Sequence, residues 1–176
     1  MTMHEGLARL NALDAAEAER ELLKCCGSTA WARRMETQRP FGDAEELLTA
    51  ADEIWRSLKE SDWLEAFAAH PKIGGQKAAR EQDAQARNWS EQEQSGASLA
   101  AQETLDALAE ANRAYEEKFG HIFIVCATGK SAVEMLDILR ARLSNDARTE
   151  LRNAAEEQRK ITRLRLEKLL EKLLAT

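Results

Sequence analysis

The chain has 176 residues, of which 44% are hydrophobic and 32% charged, and its formal net charge is −6. That length suits one domain with a real core. The acidic balance, with no basic face, argues against nucleic acid as the main partner, and no stretch reaches the ~18 apolar residues of a membrane span.

Along the chain, Met1 to Leu10 carries charges and lacks an apolar signal-peptide core, so no secretion is expected. Asp14 with Glu17 is a capping-box-like helix start, and Gly27 is predicted to end that helix. A second helix begins near Ser28 and stops before Arg39-Pro40. Asp43 with Glu46 starts a third, through Leu47, Ile54, Trp55 and Leu58. Ser61 to Ala69 is a short fourth with Trp63, Leu64 and Phe67 on one side, closed by His70 ahead of Pro71, because the residue before proline is pushed out of the helical region. Residues 71–89 are polar, contain Gly74-Gly75 and read as loop with a marginal helix. Ser90 opens the next element, and Leu99 to Phe119 is a long helix closed by Gly120. His121 to Gly129 holds Ile122, Phe123, Ile124, Val125 and Cys126 with no second strand to pair with, so it is expected as an extended loop buried in the core, whose backbone groups need partners. Ser131 with Glu134 starts another helix to Leu143. Asp146 to Leu174 is the last helix, roughly 44 Å long at 1.5 Å per residue. The expected fold is all-α: a single-domain helical bundle over residues 1–176 with a long C-terminal helix.

Three cysteines, Cys25, Cys26 and Cys126, occur with no Cys-x-x-Cys, which suits a reducing cytoplasm better than a disulfide framework. His4, His70 and His121 show no metal-ligand spacing, so no metal is expected. His70 has two readings. It is a helix-end histidine interacting with the last carbonyls, or a general acid/base held rigidly by Pro71. Ser90-Glu91-Gln92-Glu93 is a capping box, and the same helix N-terminus offers amide donors to an anionic ligand. Arg165 falls four residues after Ile161 and four before Leu169, on a stripe otherwise apolar. It either snorkels from the stripe edge or clamps a carboxylate or urea-like group. The 121–129 segment is an ordinary core connection or a backbone platform for substrate. Trp31, Trp55, Trp63 and Trp89 read as core, Cys25-Cys26 as helix packing, and the charges from Arg163 to Lys172 as a solvated face.

Taken in order, His70-Pro71-Lys72-Ile73-Gly74, Ser90-x-x-Glu93-Gln94, Asn112-x-x-Tyr115-x-x-Lys118-Phe119-Gly120-x-x-Phe123, Arg142-Leu143 and Lys160-Ile161-x-x-Leu164-Arg165-Leu166 form a pattern that runs over nearly the whole chain. The pattern resembles the 2-oxo-4-hydroxy-4-carboxy-5-ureidoimidazoline (OHCU) decarboxylase family, which acts last on the route from urate to allantoin. The resemblance implies a cofactor-free, all-helical carboxy-lyase, usually a homodimer, that takes OHCU to (S)-allantoin. It implies His70 as the catalytic histidine. It places substrate contacts on Pro71, Ser90, Glu93, Gln94, the backbone of Phe123, Ile124, Val125, Cys126 and Ala127, and on Arg165, with Glu93 also catalytic. His121 departs from the pattern, since the family often has an aromatic residue there. The chain ends Leu173-Leu174-Ala175-Thr176, without a peroxisomal Ser-Lys-Leu address, which fits a cytoplasmic enzyme of bacterial type.

The implied chemistry needs no cofactor. The substrate carboxylate sits on a carbon next to a ring C=N, which accepts the electron pair left by departing CO₂, so the protein need only orient, move protons and select a face. Two other classes stay open: a helical interaction or scaffold module using the C-terminal helix as a docking surface, and a lyase or hydrolase acting on a related ureido compound.

Overall fold

The structure is a computed structural model and describes residues 2–71 and 91–175. Among the described residues there are eight helices and no strand. They are α1 (Thr2–Ala12), α2 (Ala15–Cys25), α3 (Thr29–Gln38), α4 (Ala44–Ser57), α5 (Glu60–Ala68), α6 (Glu91–Phe119), α7 (Ala132–Arg142) and α8 (Ala147–Leu174). The all-α expectation and the long C-terminal helix therefore hold.

Four of the helix starts follow from one piece of short-range chemistry. The side chains of Asp14, Ser28, Asp43 and Ser131 each accept a hydrogen bond from an amide three residues on, at 2.8, 3.2, 2.8 and 3.2 Å. Each satisfies one of the orphan donors of a first turn. Four boundaries differ from the sequence reading. No element was expected before Asp14, yet α1 forms there and buries Leu7 and Leu10. Their three-residue spacing was the available signal. α2 ends at Cys25 and is capped by Cys26, in extended conformation, rather than by Gly27. A Cβ at Gly27 would lie 2.5 Å from the Ala69 Cβ, so this glycine serves close approach, not a left-handed cap. α5 stops at Ala68 with Ala69 as its cap, which leaves His70 beyond the helix, and Leu64 is exposed while Ala66 and Phe67 are buried. Finally, α6 starts at Glu91 and is continuous through Leu99. The loop expected over residues 71–89 falls almost wholly outside the described residues, and so does Trp89.

The chain divides into two compact units, Met1–Ala69 with Ala155–Thr176, and His70–Ala154. In the first, Trp31 and Trp55 are buried and Trp63 is half-buried. All three indole N–H groups are matched: Trp31 donates to the Ala51 carbonyl at 3.1 Å, Trp55 to Ala155 at 2.8 Å and Trp63 to Trp55 at 2.9 Å. Large rings thus enter the core without leaving a donor unpaired. Cys25 and Cys26 are buried free thiols, as their helix-packing reading requires. Arg163 departs from the solvated-face reading, since its Nη1 holds Asp52 at 2.8 Å.

The second unit is built on α6, α7, the first turns of α8 and the irregular stretch between α6 and α7. Its core is Leu108, Tyr115, Phe123, Val125, Leu136 and Leu139. Gly120 ends α6 at φ 79°, a conformation costly for any residue with a side chain, and its N–H bonds the Glu116 carbonyl at 2.8 Å.

Candidate functional site

In the second unit, residues 121–127 run without helix or strand, and His121 and Phe123 to Cys126 are buried. Phe123 and Val125 face the core of this unit, as the two-residue period of an extended chain requires. The stretch is held by its carbonyls. Arg142 Nη1 donates to the Ile124 carbonyl at 2.6 Å, and Lys130 Nζ donates to the Cys126 carbonyl at 2.8 Å. The amides of Phe123, Ile124, Val125 and Ala127 have no hydrogen-bond acceptor among the described residues. Buried amides without partners are rare, and the three consecutive ones from Phe123 to Val125 are a ready set of donors for a ligand.

Arg142 is fixed in turn. Its Nε donates to Glu150 Oε2 at 2.8 Å and its Nη2 to the Tyr115 hydroxyl at 3.3 Å. The guanidinium also lies 4.6 Å from the centre of the Phe123 ring. Glu150 is wholly buried. Burial alone would raise its pKa, but side-chain bonds from Asn145, Tyr115 and Asn153, with the Arg142 charge, bring it below the usual carboxylate range. Tyr115 is pushed the other way by burial and by its bond to Glu150. The hydroxyl therefore stays protonated and donates to a carboxylate. Sequence reading placed Asn112, Tyr115 and Arg142 in motifs without a role and missed Glu150. Its signal was only an acid in the first turn of a helix.

His121, the departure from the family pattern, fills an aromatic position. Its ring centre lies 5.6 Å from that of Tyr115 and 6.4 Å from that of Phe119.

In the first unit, Arg165 is half-buried on α8 and lines a groove of about 540 Å³ with Glu21, Lys24, Cys25, Ala69, Lys168, Leu169 and Lys172. Four cations share this groove with one carboxylate, and Glu21 is already engaged by Lys24 at 2.6 Å and Lys172 at 3.3 Å. Arg165 itself has no hydrogen bond or ion pair among the described residues. Burial pushes the Cys25 thiol on the same wall up to about 12, so it stays protonated and is no nucleophile.

Ala69 brings the chain into that groove directly ahead of His70, which is half-buried, and Pro71, which is exposed. Glu93 and Gln94 fall in the first turn of α6. Ser90 lies outside the described residues, as do Lys72, Ile73 and Gly74. Among the described residues no group of histidine, cysteine, aspartate or glutamate side chains could hold a metal ion, and no helix is long and apolar enough to cross a membrane.

The protein is all-helical, with a buried, donor-rich irregular segment in one unit and a cationic groove in the other. Residues 11–167 match the family model of OHCU decarboxylase. The chain belongs to the OHCU decarboxylase family. It is 43% identical over 152 residues to the uric acid degradation bifunctional protein TTL of Arabidopsis thaliana, covering 86% of this chain and 47% of that protein. It is 30% identical over 133 residues to the OHCU decarboxylase of Amia calva, covering 76% of this chain and 75% of the relative. A crystal structure of OHCU decarboxylase in the presence of (S)-allantoin superimposes with a TM-score of 0.70 at 39% identity, covering 85% of this chain and 96% of that one. A crystal structure of (S)-allantoin synthase shares the fold, with a TM-score of 0.66 at 18% identity over 93% of this chain and 53% of that one. This chain spans about half or less of the bifunctional relatives, 47% of the Arabidopsis protein and 32% of one from Bacillus sp..

Proposed function

We propose that this chain is a carboxy-lyase that converts OHCU to (S)-allantoin in urate degradation, without a cofactor. The observation that carries the reading is the Phe123–Ala127 segment, buried through Cys126, where the amides of Phe123, Ile124, Val125 and Ala127 are without acceptors among the described residues. A ureidoimidazoline offers carbonyl oxygens on its ring, its ureido arm and its carboxylate, and such a row of N–H donors suits them. Family membership and the unspent guanidinium of Arg165 in a cationic groove support the same reading. The family match runs from residue 11 to 167, through both units, which supports treating residues 1–176 as one functional domain.

The roles follow from the chemistry. The bond between the ring carbon and the carboxylate breaks and CO₂ leaves. Its electron pair forms a ring C=C bond while the neighbouring imine nitrogen takes up the displaced pair and a proton. His70 accepts the proton of the adjacent hydroxyl, which becomes a carbonyl as the neighbouring carbon is protonated on one face. Glu93 orients His70 or binds ureido N–H groups. Gln94 and the Phe123–Ala127 backbone hold the ring amides, Ser90 and Pro71 line the site, and Arg165 holds the carboxylate or a carbonyl. We further propose a homodimer, as the family resemblance implies, and a cytoplasmic setting, which the buried thiols of Cys25 and Cys26 support.

Chiral detection of allantoin from freshly generated OHCU tests the assignment. An excess of the (S) form is expected with the protein, and product no faster and no less racemic than without it would sink the reading. His70→Ala should lower the stereospecific rate by about 10²–10⁴-fold with the fold intact. Glu93→Gln keeps a residue able to serve in the capping box and should melt near wild type while losing most of its turnover.

A further inference from the structure

The way the irregular segment is gripped has a consequence for catalysis. In a trans peptide the C=O of one residue and the N–H of the next lie in one plane and point in opposite directions. A side chain that holds a carbonyl on one side therefore aims the following amide to the other. Two carbonyls of the segment are held in this way. The Ile124 carbonyl is gripped by Arg142 Nη1 at 2.6 Å, and the Cys126 carbonyl by Lys130 Nζ at 2.8 Å. The amides in those same two planes are Val125 N–H and Ala127 N–H, and neither has an acceptor among the described residues.

We propose that Arg142 and Lys130 are positioning residues: by holding the Ile124 and Cys126 carbonyls they aim the Val125 and Ala127 amides at the acceptor oxygens of the substrate. This rests on the decarboxylase reading. The two grips differ in rigidity. Arg142 is buried and braced by Glu150 and Tyr115, so its fork cannot turn. Lys130 is exposed, four residues along the chain from the carbonyl it holds, and follows the turn at Gly129. The Arg142 grip should therefore matter more. A lysine at position 142 could keep the charge opposite Glu150, yet it cannot reach Glu150, Tyr115 and the Ile124 carbonyl as one planar fork.

The test is steady-state kinetics on wild type, Arg142→Lys, Lys130→Ala and Lys130→Arg, with amide hydrogen exchange of residues 121–129 on the same preparations. Amides that bind carbonyls in the ground state and transition state alike set KM rather than kcat. Arg142→Lys should raise KM by about 10-fold or more with kcat changed less than about threefold, and Lys130→Ala should raise KM by roughly two- to fivefold. Lys130→Arg should recover most of the loss, because it restores a donor to the Cys126 carbonyl. Exchange at Val125 and Ala127 should quicken in Arg142→Lys and Lys130→Ala. A role confined to stability would instead lower the active fraction, which reduces kcat and leaves KM alone. Lys130 is exposed, so its variants give an answer even if Arg142→Lys does not fold. Unmoved KM in a folded Lys130→Ala or Arg142→Lys protein overturns the inference while the wild-type activity stands. A wild type without stereospecific product removes the decarboxylase reading and this inference with it.

Discussion

Arg142 and Arg165 are both removed from bulk solvent to some degree, and they have opposite surroundings. Arg142 is spent: Nε on Glu150, Nη1 on Ile124 and Nη2 on Tyr115. Arg165 has no hydrogen bond or ion pair among the described residues and stands in a groove with three lysines. A buried charge whose donors are all used within the protein belongs to the fold, and removing it strands its partners. A half-buried charge with donors to spare leaves nothing behind when removed, and its natural complement is an anionic or carbonyl-rich ligand. The same residue type thus serves architecture in one unit and, in our reading, recognition in the other.

The largest expected effect separates the two by stability. Arg142→Ala leaves Glu150 buried without its cation and should cost about 3–5 kcal/mol, whereas Arg165→Ala should stay within about 0.5 kcal/mol of wild type. Denaturant melts of both variants measure this, and equal losses would erase the contrast. Binding should show the reverse order. Arg165→Ala should weaken affinity for (S)-allantoin by roughly 10- to 100-fold, the range for hydrogen bonds to a charged group. Arg165→Lys should restore little of it, since a point charge cannot replace a planar fork. Titration calorimetry gives both values, and undiminished affinity in either variant would return Arg165 to a snorkelling role.

The smallest effect lies in the acid limb. Glu150 has a folded pKa below the usual carboxylate range. Its contribution to stability is therefore full above that range and is lost as pH falls through the lowered value. The lead of wild type over Glu150→Gln should narrow between about pH 5 and pH 2. Arg165→Ala should follow wild type over the same interval. A lead independent of pH would mean that the charge of Glu150 adds nothing to the network.

Much of this was legible in the residues, for a definite reason. Asp14, Ser28, Asp43 and Ser131 announce helix starts because a cap is a contact over three residues, and the chain alone specifies it. The apolar run from Ile122 to Cys126 announced a buried segment because it had no partner strand to pair with. Arg165 stood out as a charge on an apolar helical stripe. The short helix α1 was missed because its burial depends on two leucines in a charged stretch. Leu64 was expected inward and is exposed, since the face a short helix buries is chosen by what packs against it.

What the sequence by itself determined is the set of local decisions: where helices begin, which segment cannot be helical, which family the ordered motifs resemble. Only the tertiary structure decided that Gly27 is a contact with Ala69 rather than a cap, that Glu150 is the counterion of Arg142, and that Lys130 and Arg142 hold alternate carbonyls of one buried segment. Ala69 lies 42 residues from Gly27, and Arg142 lies 18 from Ile124, by residue number. Contacts across such separations leave no period in the chain. They arise when packing excludes water, and each buried donor and charge must then find whatever partner the fold has brought within reach.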